Sequence, residues 1–452
     1  MNSLKKYLFW FANEHLDFMI NEIKSIASLY NIHLKWVEQS DNAEPFCIVE
    51  ADNEESIKKI ASRSVLLRYA IEIWAQAESK DSLHSMLRSL PKSIISPYAQ
   101  PNISFKIKVE LFGNSQTQAQ KVEKIESFSY LPLLGPVKLK NPDVTLQYIE
   151  YYCVETRNTS LKPERYFFGK LIAEGQRDLI TKLSLKKRKF IGNTSMDPQL
   201  SLIMANQAQI KDNDIVVDPF VGTGSLLIAA AQFGGYVLGA DIDYLMLHGK
   251  SRPTRKQDRH KPRTGESIAS NLEQYGLKNQ YLDIVAADSS LPFWRSGITF
   301  DAIITDPPYG IREATERVGC TRPDKFISEE HLKTHIPSKI QYSMSQLLAD
   351  LLRFASMHLR IGGKLVTWMP IIRCEYTEDI LPSHVCLQLE ANSEQILSTT
   401  SSRRLLTYTK ISEPSEETFI SVPEEESFRQ RYQRYVEIMR KSKKCEKNQK
   451  GS

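Results

Sequence analysis

Cysteine is scarce in this chain of 452 residues, and where it occurs it is scattered. Cys47, Cys153, Cys320, Cys374, Cys386 and Cys445 form no C-x-x-C pair and have no histidine at ligand spacing. That pattern argues against a disulfide framework and against a zinc site, and it fits a reducing compartment. Long apolar runs are missing as well. The stretch Tyr7 to Ala12 covers six residues before Asn13 and Glu14, too short for a signal segment or a membrane span. Later apolar stretches are broken by Asp218, Asp241 and glycines. We therefore expect a cytoplasmic protein with no membrane partner and no metal. Nor does one sign of charge dominate: 59 Lys and Arg face 54 Asp and Glu, a net charge of +5 too mild to announce a nucleic-acid partner. With 19 Gly, 21 Pro and 41% hydrophobic residues, collagen-like, coiled-coil and wholly disordered chains are excluded. What remains is a folding chain three times the ~150-residue domain norm, long enough for two or three domains.

The charge is unevenly placed. Leu161 to Phe190 holds nine basic residues against three acidic, ending in Lys186, Lys187, Arg188 and Lys189. A second cluster from Lys250 to Arg263 has seven basic residues and one acidic, Asp258. Two such runs make a polyanion a fair partner, although a single run is more often a solvated face. The four residues Lys186 to Lys189 are the expected contacts with such a partner.

Elements read from periodicity divide the chain. The first 160 residues form a mixed α+β region, with strands at Tyr7 to Phe11, Leu34 to Val37, Phe46 to Glu50, Phe105 to Leu111 and Thr145 to Cys153, and helices at Leu16 to Ser28 and Glu54 to Ser62. Residues 161–190 read as a basic linker. From 191 to 412 strands and helices alternate, which implies right-handed crossovers and a doubly wound, Rossmann-like parallel sheet. Its last strands, Val385 to Leu389 and Arg404 to Thr409, suit an antiparallel edge hairpin. Residues 413–452 form a charged tail, expected to be disordered from Lys441 onward.

Chemistry concentrates at strand ends. The strand Ile215 to Val217 runs into Asp218-Pro219-Phe220-Val221-Gly222-Thr223-Gly224-Ser225. Glycines there let a ligand approach the backbone, and the following helix start favours a carboxylate or phosphate. Leu227 stands where a dinucleotide fingerprint has its third glycine, so a smaller cofactor fits better than NAD. The next strand ends in Asp241-Ile242-Asp243, suited to gripping a ribose diol, and a third ends in Asp288-Ser289. The fourth runs into Asp306-Pro307-Pro308-Tyr309-Gly310. Proline has no N–H, so that turn leaves directed carbonyl acceptors. The Asp306 carboxylate and the Pro307 carbonyl would accept the two protons of an exocyclic amine while Tyr309 stacks on the base.

Asp306 to Tyr309 after the fourth strand and Asp218 to Gly224 after the first resemble the S-adenosylmethionine-dependent methyltransferases that modify amino groups of nucleic-acid bases. The likeness extends to Phe190-Ile191-Gly192-Asn193-Thr194-Ser195-Met196-Asp197-Pro198, to Gly310-Ile311-Arg312-Glu313, to Gly135 to Asp143 and to Tyr166 to Gly169. These are similar to the catalytic subunits of the eukaryotic tRNA guanosine-10 N2-methyltransferases. The resemblance implies a class I methyltransferase domain behind an N-terminal THUMP-containing RNA-binding region, with tRNA as substrate. It implies S-adenosylmethionine held by Asp218, Gly222, Gly224, Asp241 and Asp288, to which the strand-end reading adds Asp243 and Ser289, and a target-base clamp of Asp306, Pro307, Pro308 and Tyr309. It also implies a small zinc-binding activator protein as partner. The third strand, a sheet edge in the usual order and apolar at Ile284-Val285-Ala286, is the expected docking place. Arg312 to Ser343 matches little beyond its start. Two other readings stay open: methylation of another RNA or DNA base amine, and a non-catalytic RNA-binding subunit with a vestigial fold.

Overall fold

The structure, a computed structural model, describes residues 4–39, 44–152, 154–155, 158–159, 162–248, 265–311, 313–320, 330, 335–415, 420–422 and 428–449. It divides into two compact units, Met1–Met19 with Ala27–Arg177, and Ile20–Ile26 with Asp178–Ser452.

The first unit is built on a seven-stranded sheet. Its strands are β1 (Lys5–Phe11), β2 (Lys35–Glu38), β3 (Phe46–Ala51), β4 (Leu67–Ala77), β5 (Phe105–Phe112), β6 (Val144–Tyr151) and, beyond a short hairpin of β7 (Val154–Glu155) and β8 (Asn158–Thr159), β9 (Arg165–Glu174). They lie in the order β2-β3-β1-β4-β9-β6-β5, antiparallel except for β5 with β6.

Residues 161–190 are therefore not a linker, because β9 lies inside this sheet between β4 and β6. The reason is a period of two hidden under the charge count. Phe167 packs with Trp10, Phe46, Tyr69 and Tyr151 on one face, while Phe168 packs with Trp74, Phe128 and Tyr148 on the other. The cations of the strand are consumed locally. Arg165 donates from Nη2 to Glu38 at 2.9 Å, and Lys170 donates to Glu54 and, at 2.7 Å, to the Tyr98 hydroxyl, with Glu72 3.5 Å away. Strand β4, also unforeseen, supplies Glu72.

In the second unit the strands are β10 (Ile215–Asp218), β11 (Tyr236–Asp241), β12 (Tyr281–Ala286), β13 (Phe300–Thr305), the separate hairpin β14 (Glu316–Val318) with β15 (Lys339–Gln341), then β16 (Leu359–Ile372), β17 (Ser383–His384), β18 (Leu387–Ile396), β19 (Ser401–Lys410) and β20 (Ile420–Ser421). The sheet order is β12-β11-β10-β13-β16-β19-β18-β17-β20. The first five run parallel and β19 returns antiparallel to β16. The expected hairpin forms from β18 and β19, but β17 and β20 extend the sheet beyond it. Helices Ser225–Gln232, Ile268–Gln274 and Met344–His358 supply the crossovers. Helix Pro198–Gln207 is buried along its whole length; Asp197 caps it, accepting from the Gln199 and Leu200 amides at 2.9 and 3.3 Å, with Pro198 at the first helical position. The order reverses between β10 and β13, which opens a crevice at the carboxyl ends of those strands.

The backbone of 441–449 continues helix Phe428–Gln449, where disorder was expected. Lys, Arg, Gln and Glu are good helix formers, so low apolar content alone does not prevent a helix. Among the described residues no helix is long and apolar enough to cross a membrane.

Replacing Lys170 by Ala leaves the Glu54 and Glu72 carboxylates facing each other, with Lys5 still 2.8 Å from Glu72. The loss should be about 2 kcal/mol, below the ~3–5 kcal/mol of a fully buried pair. Urea unfolding of the variant checks this, and an unchanged midpoint would identify Lys170 as a mere surface charge.

Candidate active site

Three carboxylates sit at the carboxyl ends of β10, β11 and β13, neighbours in the sheet. Asp218, only 2% exposed, accepts from the Phe220 amide at 3.0 Å and from the Thr305 hydroxyl at 2.6 Å. Burial, together with the nearby Asp241 and Asp306, pushes its pKa up to about 7. Gly222 and Gly224 have φ of +49° and +76°, conformations that favour glycine. They differ in what surrounds them. A Cβ on Gly224 would meet Ile268 Cγ2 at 2.6 Å, whereas one on Gly222 would meet nothing within 4 Å. Gly224 is thus fixed by packing, and Gly222 borders open space where a ligand can approach the backbone.

Asp241 accepts from the Gly222 amide with one oxygen and from the Asp243 amide with the other, both at 2.8 Å. A carboxylate offers about four lone-pair sites, so each oxygen keeps capacity for a ligand hydroxyl. Burial raises its pKa, and Glu313 and Asp243 add to the rise. Asp243 instead caps the turn Tyr244–Leu247, accepting from the Met246 amide at 3.0 Å. Asp288 accepts from the Ser290 and Val318 amides at 2.8 and 2.6 Å, and Ser289 donates to the Pro219 carbonyl at 2.5 Å, tying the third loop to the first. A cavity of about 440 Å³ opens here, lined by Ile242, Tyr244, Ala286, Asp288 and Pro337.

Among the described residues, Asp306 is the one carboxylate of the three paired with a formal cation. Arg403 donates from Nη1 to its Oδ2 at 3.1 Å and lies 3.3 Å from the Tyr309 hydroxyl, which itself donates to Asp306 Oδ1. The guanidinium is held from all sides: 4.0 Å over the Trp368 ring, 2.7 Å from Gln395 Oε1 and 3.4 Å from the Met196 sulfur. Burial raises the Asp306 pKa, and Arg403 with Tyr309 opposes that rise. Topology explains how the arginine gets there. In an antiparallel strand the first residues, not the last, reach the carboxyl edge, and Arg403 pairs with Pro370 near the end of β16. Sequence reading missed Arg403; the available signal was an arginine entering an apolar strand.

Tyr309 also lines a second cavity, of about 370 Å³, with Tyr342, Met369, Pro370 and Phe428. The segment before helix Pro198–Gln207 joins the site: the Ser195 and Thr223 hydroxyls are 2.6 Å apart, and Thr194 donates to Glu313. No role was read from these four residues in the sequence.

The basic run divides. Lys186, Lys187 and Lys189 are exposed, but Arg188 is 5% exposed and donates to Ser225 Oγ at 2.7 Å and to the Leu183 carbonyl at 3.1 Å. Arg188 is therefore a structural anchor unavailable to RNA, because its donors already satisfy buried acceptors. The cluster from Lys250 to Arg263 lies outside the described residues.

A 3-2-1-4-5-7-6 arrangement of β10 to β19, with the glycine turn after its first strand and Asp-Pro-Pro-Tyr after its fourth, defines a class I methyltransferase domain. Residues 5–177 match the family model of the Tmrp11 THUMP N-terminal domain, and 186–322 that of the RMKL-like methyltransferase domain. The chain is 45% identical over 411 residues to the tRNA (guanine(10)-N(2))-methyltransferase TRMT11 of Gallus gallus, covering 91% of this chain and 89% of that protein. For the Homo sapiens protein of the same name the identity is 43% over 412 residues, covering 90% and 89%. For the Dictyostelium discoideum protein it is 37% over 435 residues, covering 91% and 83%. The chain belongs to the tRNA (guanine(10)-N(2))-methyltransferase family.

Arg403→Met should shift the acid limb of the pH–rate profile. A carboxylate accepts a proton only when ionised, so activity that depends on Asp306 should rise as pH climbs through its pKa. Removing the cation lets burial raise that pKa further, and the limb should move to higher pH, with Arg403→Lys restoring part of the shift. Superimposable limbs would mean that Arg403 does not set the ionisation of Asp306.

Proposed function

We propose that this chain methylates the exocyclic 2-amino group of guanosine 10 in tRNA, using S-adenosylmethionine. The observation that carries the reading is the Asp306–Tyr309–Arg403 cluster, an acceptor paired with a cation in a partly buried crevice. The residues present fit the donor. Open space beside Gly222 suits a close backbone approach, spare acceptor sites on Asp241 suit ribose hydroxyls, and the cavity beside Asp288 suits an adenine. Asp218, Gly222, Gly224 and Asp241 would hold it, with Asp288 at the adenine amine; Asp243 and Ser289 support their loops. When bound, it supplies an electrophilic methyl group.

The rest is the work of the chain. The guanine amine is a weak nucleophile because its lone pair is delocalised into the ring. Asp306 and the Pro307 carbonyl accept its two N–H bonds, which localises electron density on nitrogen and aims it. As the nitrogen–carbon bond forms, the nitrogen sheds one proton, and Asp306 is the group placed to take it. Tyr309 fixes the Asp306 carboxyl through its hydroxyl and offers its ring to the base.

The activator belongs to the same reading. Strand β12 is a sheet edge, and it leaves Leu282 and Val285 49% and 41% exposed. An uncovered apolar edge suits strand addition or apolar packing by a partner. Hydrogen exchange should show protection of amides 283–286 rising above the level set by pairing with β11 when the activator is bound; equal protection with and without it would remove this edge as the docking place.

Asp306→Ala should lower transfer to tRNA by ~10²–10³ while leaving donor affinity, measured by calorimetry, nearly unchanged. Nucleoside mass spectrometry of a methylated tRNA pool identifies the product. Modified adenosine would redirect the reading to another base amine, and failure of the wild-type chain to bind the donor would favour a vestigial fold.

A further inference from the structure

Helix Phe428–Gln449 carries eight Arg and Lys against two Glu, and it starts beside the target-base clamp. Three observations place its first turn there. Phe428 and Gln430 line the same cavity as Tyr309 and Pro370. The Cβ of Arg429 lies 3.9 Å from where a Cβ on Gly310 would stand, and Gly310 directly follows Tyr309. Arg431 pins the helix, donating to Glu375 through Nη2 and, at 2.9 Å, through Nε; Glu375 ends the turn Arg373–Glu375 that follows β16 at the carboxyl edge of the sheet.

Within this anchored turn the two arginines have opposite fates. Arg431 is buried and paired, while Arg429 is exposed and makes no hydrogen bond or ion pair among the described residues. A cation on an anchored turn, next to the clamp and with no acid partner among the described residues, suits an anion that comes with the substrate. The amine of a nucleotide cannot reach Asp306 without bringing its own sugar-phosphate strand to the rim of the crevice.

We infer that the C-terminal helix is an RNA-contacting element of this enzyme, and that Arg429 binds a backbone phosphate adjoining the guanosine being methylated. The inference rests on tRNA being the substrate. Lys441, Lys443, Lys444 and Lys447 carry the same sign of charge further along the sequence.

The test uses the full chain with its activator and unmodified tRNA. Arg429→Glu should raise the KM for tRNA roughly tenfold with kcat at saturating tRNA little changed. The log–log salt dependence of tRNA binding should flatten by about 0.9, the signature of one lost phosphate contact. Arg429→Lys should keep most of the affinity, and Arg429→Gln should fall between. Calorimetric donor affinity and the melting temperature should match wild type in all three, because Arg429 is exposed and makes no hydrogen bond or ion pair among the described residues. Wild-type KM and salt slope in Arg429→Glu would overturn the inference. A wild-type enzyme inactive on tRNA would instead overturn the function on which it rests, so the two failures are told apart by the control alone.

Discussion

Burying carboxylates at one sheet edge is the constraint around which the catalytic unit is arranged. Asp218, Asp241 and Asp306 end adjacent strands, and burial is the first reason each has a raised pKa. Removing a charge from water is costly unless its lone pairs are filled, and like charges side by side add to the cost. Each is offset differently. Backbone amides serve Asp241, an amide and a hydroxyl serve Asp218, and a guanidinium with a phenol serves Asp306. Among the described residues, only the last arrangement brings a full opposite charge. Asp218 is pushed up to about 7 by burial, with the neighbouring Asp241 and Asp306 adding to the rise.

The antiparallel seventh strand is what makes that solution available. Parallel strands present their last residues at the ligand edge, and here those positions are taken by acids and by the loops they cap. A strand running the other way enters at that edge, so Arg403, third in β19, arrives where a parallel strand would deliver its end. Its register opposite Gln395 supplies a side-chain acceptor for Nε, and Trp368 supplies a flat face. The guanidinium is fixed before any substrate arrives, so little reorganisation is left for the reaction.

Much of this was legible in the sequence because it is local. The strands β10, β11 and β13 are short apolar runs, and the acids and glycines that follow them are contiguous with them. Arg403 was not legible, since its partner lies 97 residues away and is reached only through the order of the sheet. The same blindness turned β9 into a linker: Arg165 and Lys170 look like free charge until Glu38 and Glu54, 127 and 116 residues distant, are brought beside them. Arg188 failed for the same reason, in a run whose lysines do point outward. Gly222 and Gly224 were read alike, yet one borders open space and the other touches Ile268.

Charge counts therefore mislead about a polyanionic substrate until satisfied and unsatisfied cations are separated. Lys170, Arg165, Arg188, Arg403 and Arg431 hold buried or half-buried acceptors, and pulling one away strands a carboxylate or carbonyl at about 1–3 kcal/mol or more. A phosphate contact at the surface returns about as much at best, so RNA gains nothing by competing for them. Lys186, Lys187, Lys189 and Arg429 make no such commitments among the described residues. A local excess of +6 over 161–190 thus leaves Lys186, Lys187 and Lys189 exposed at its end, while the C-terminal segment, unremarkable by sequence beyond its lysines, contributes Arg429 beside the clamp, uncommitted among the described residues. The footprint of the substrate follows from which cations the fold leaves unspent.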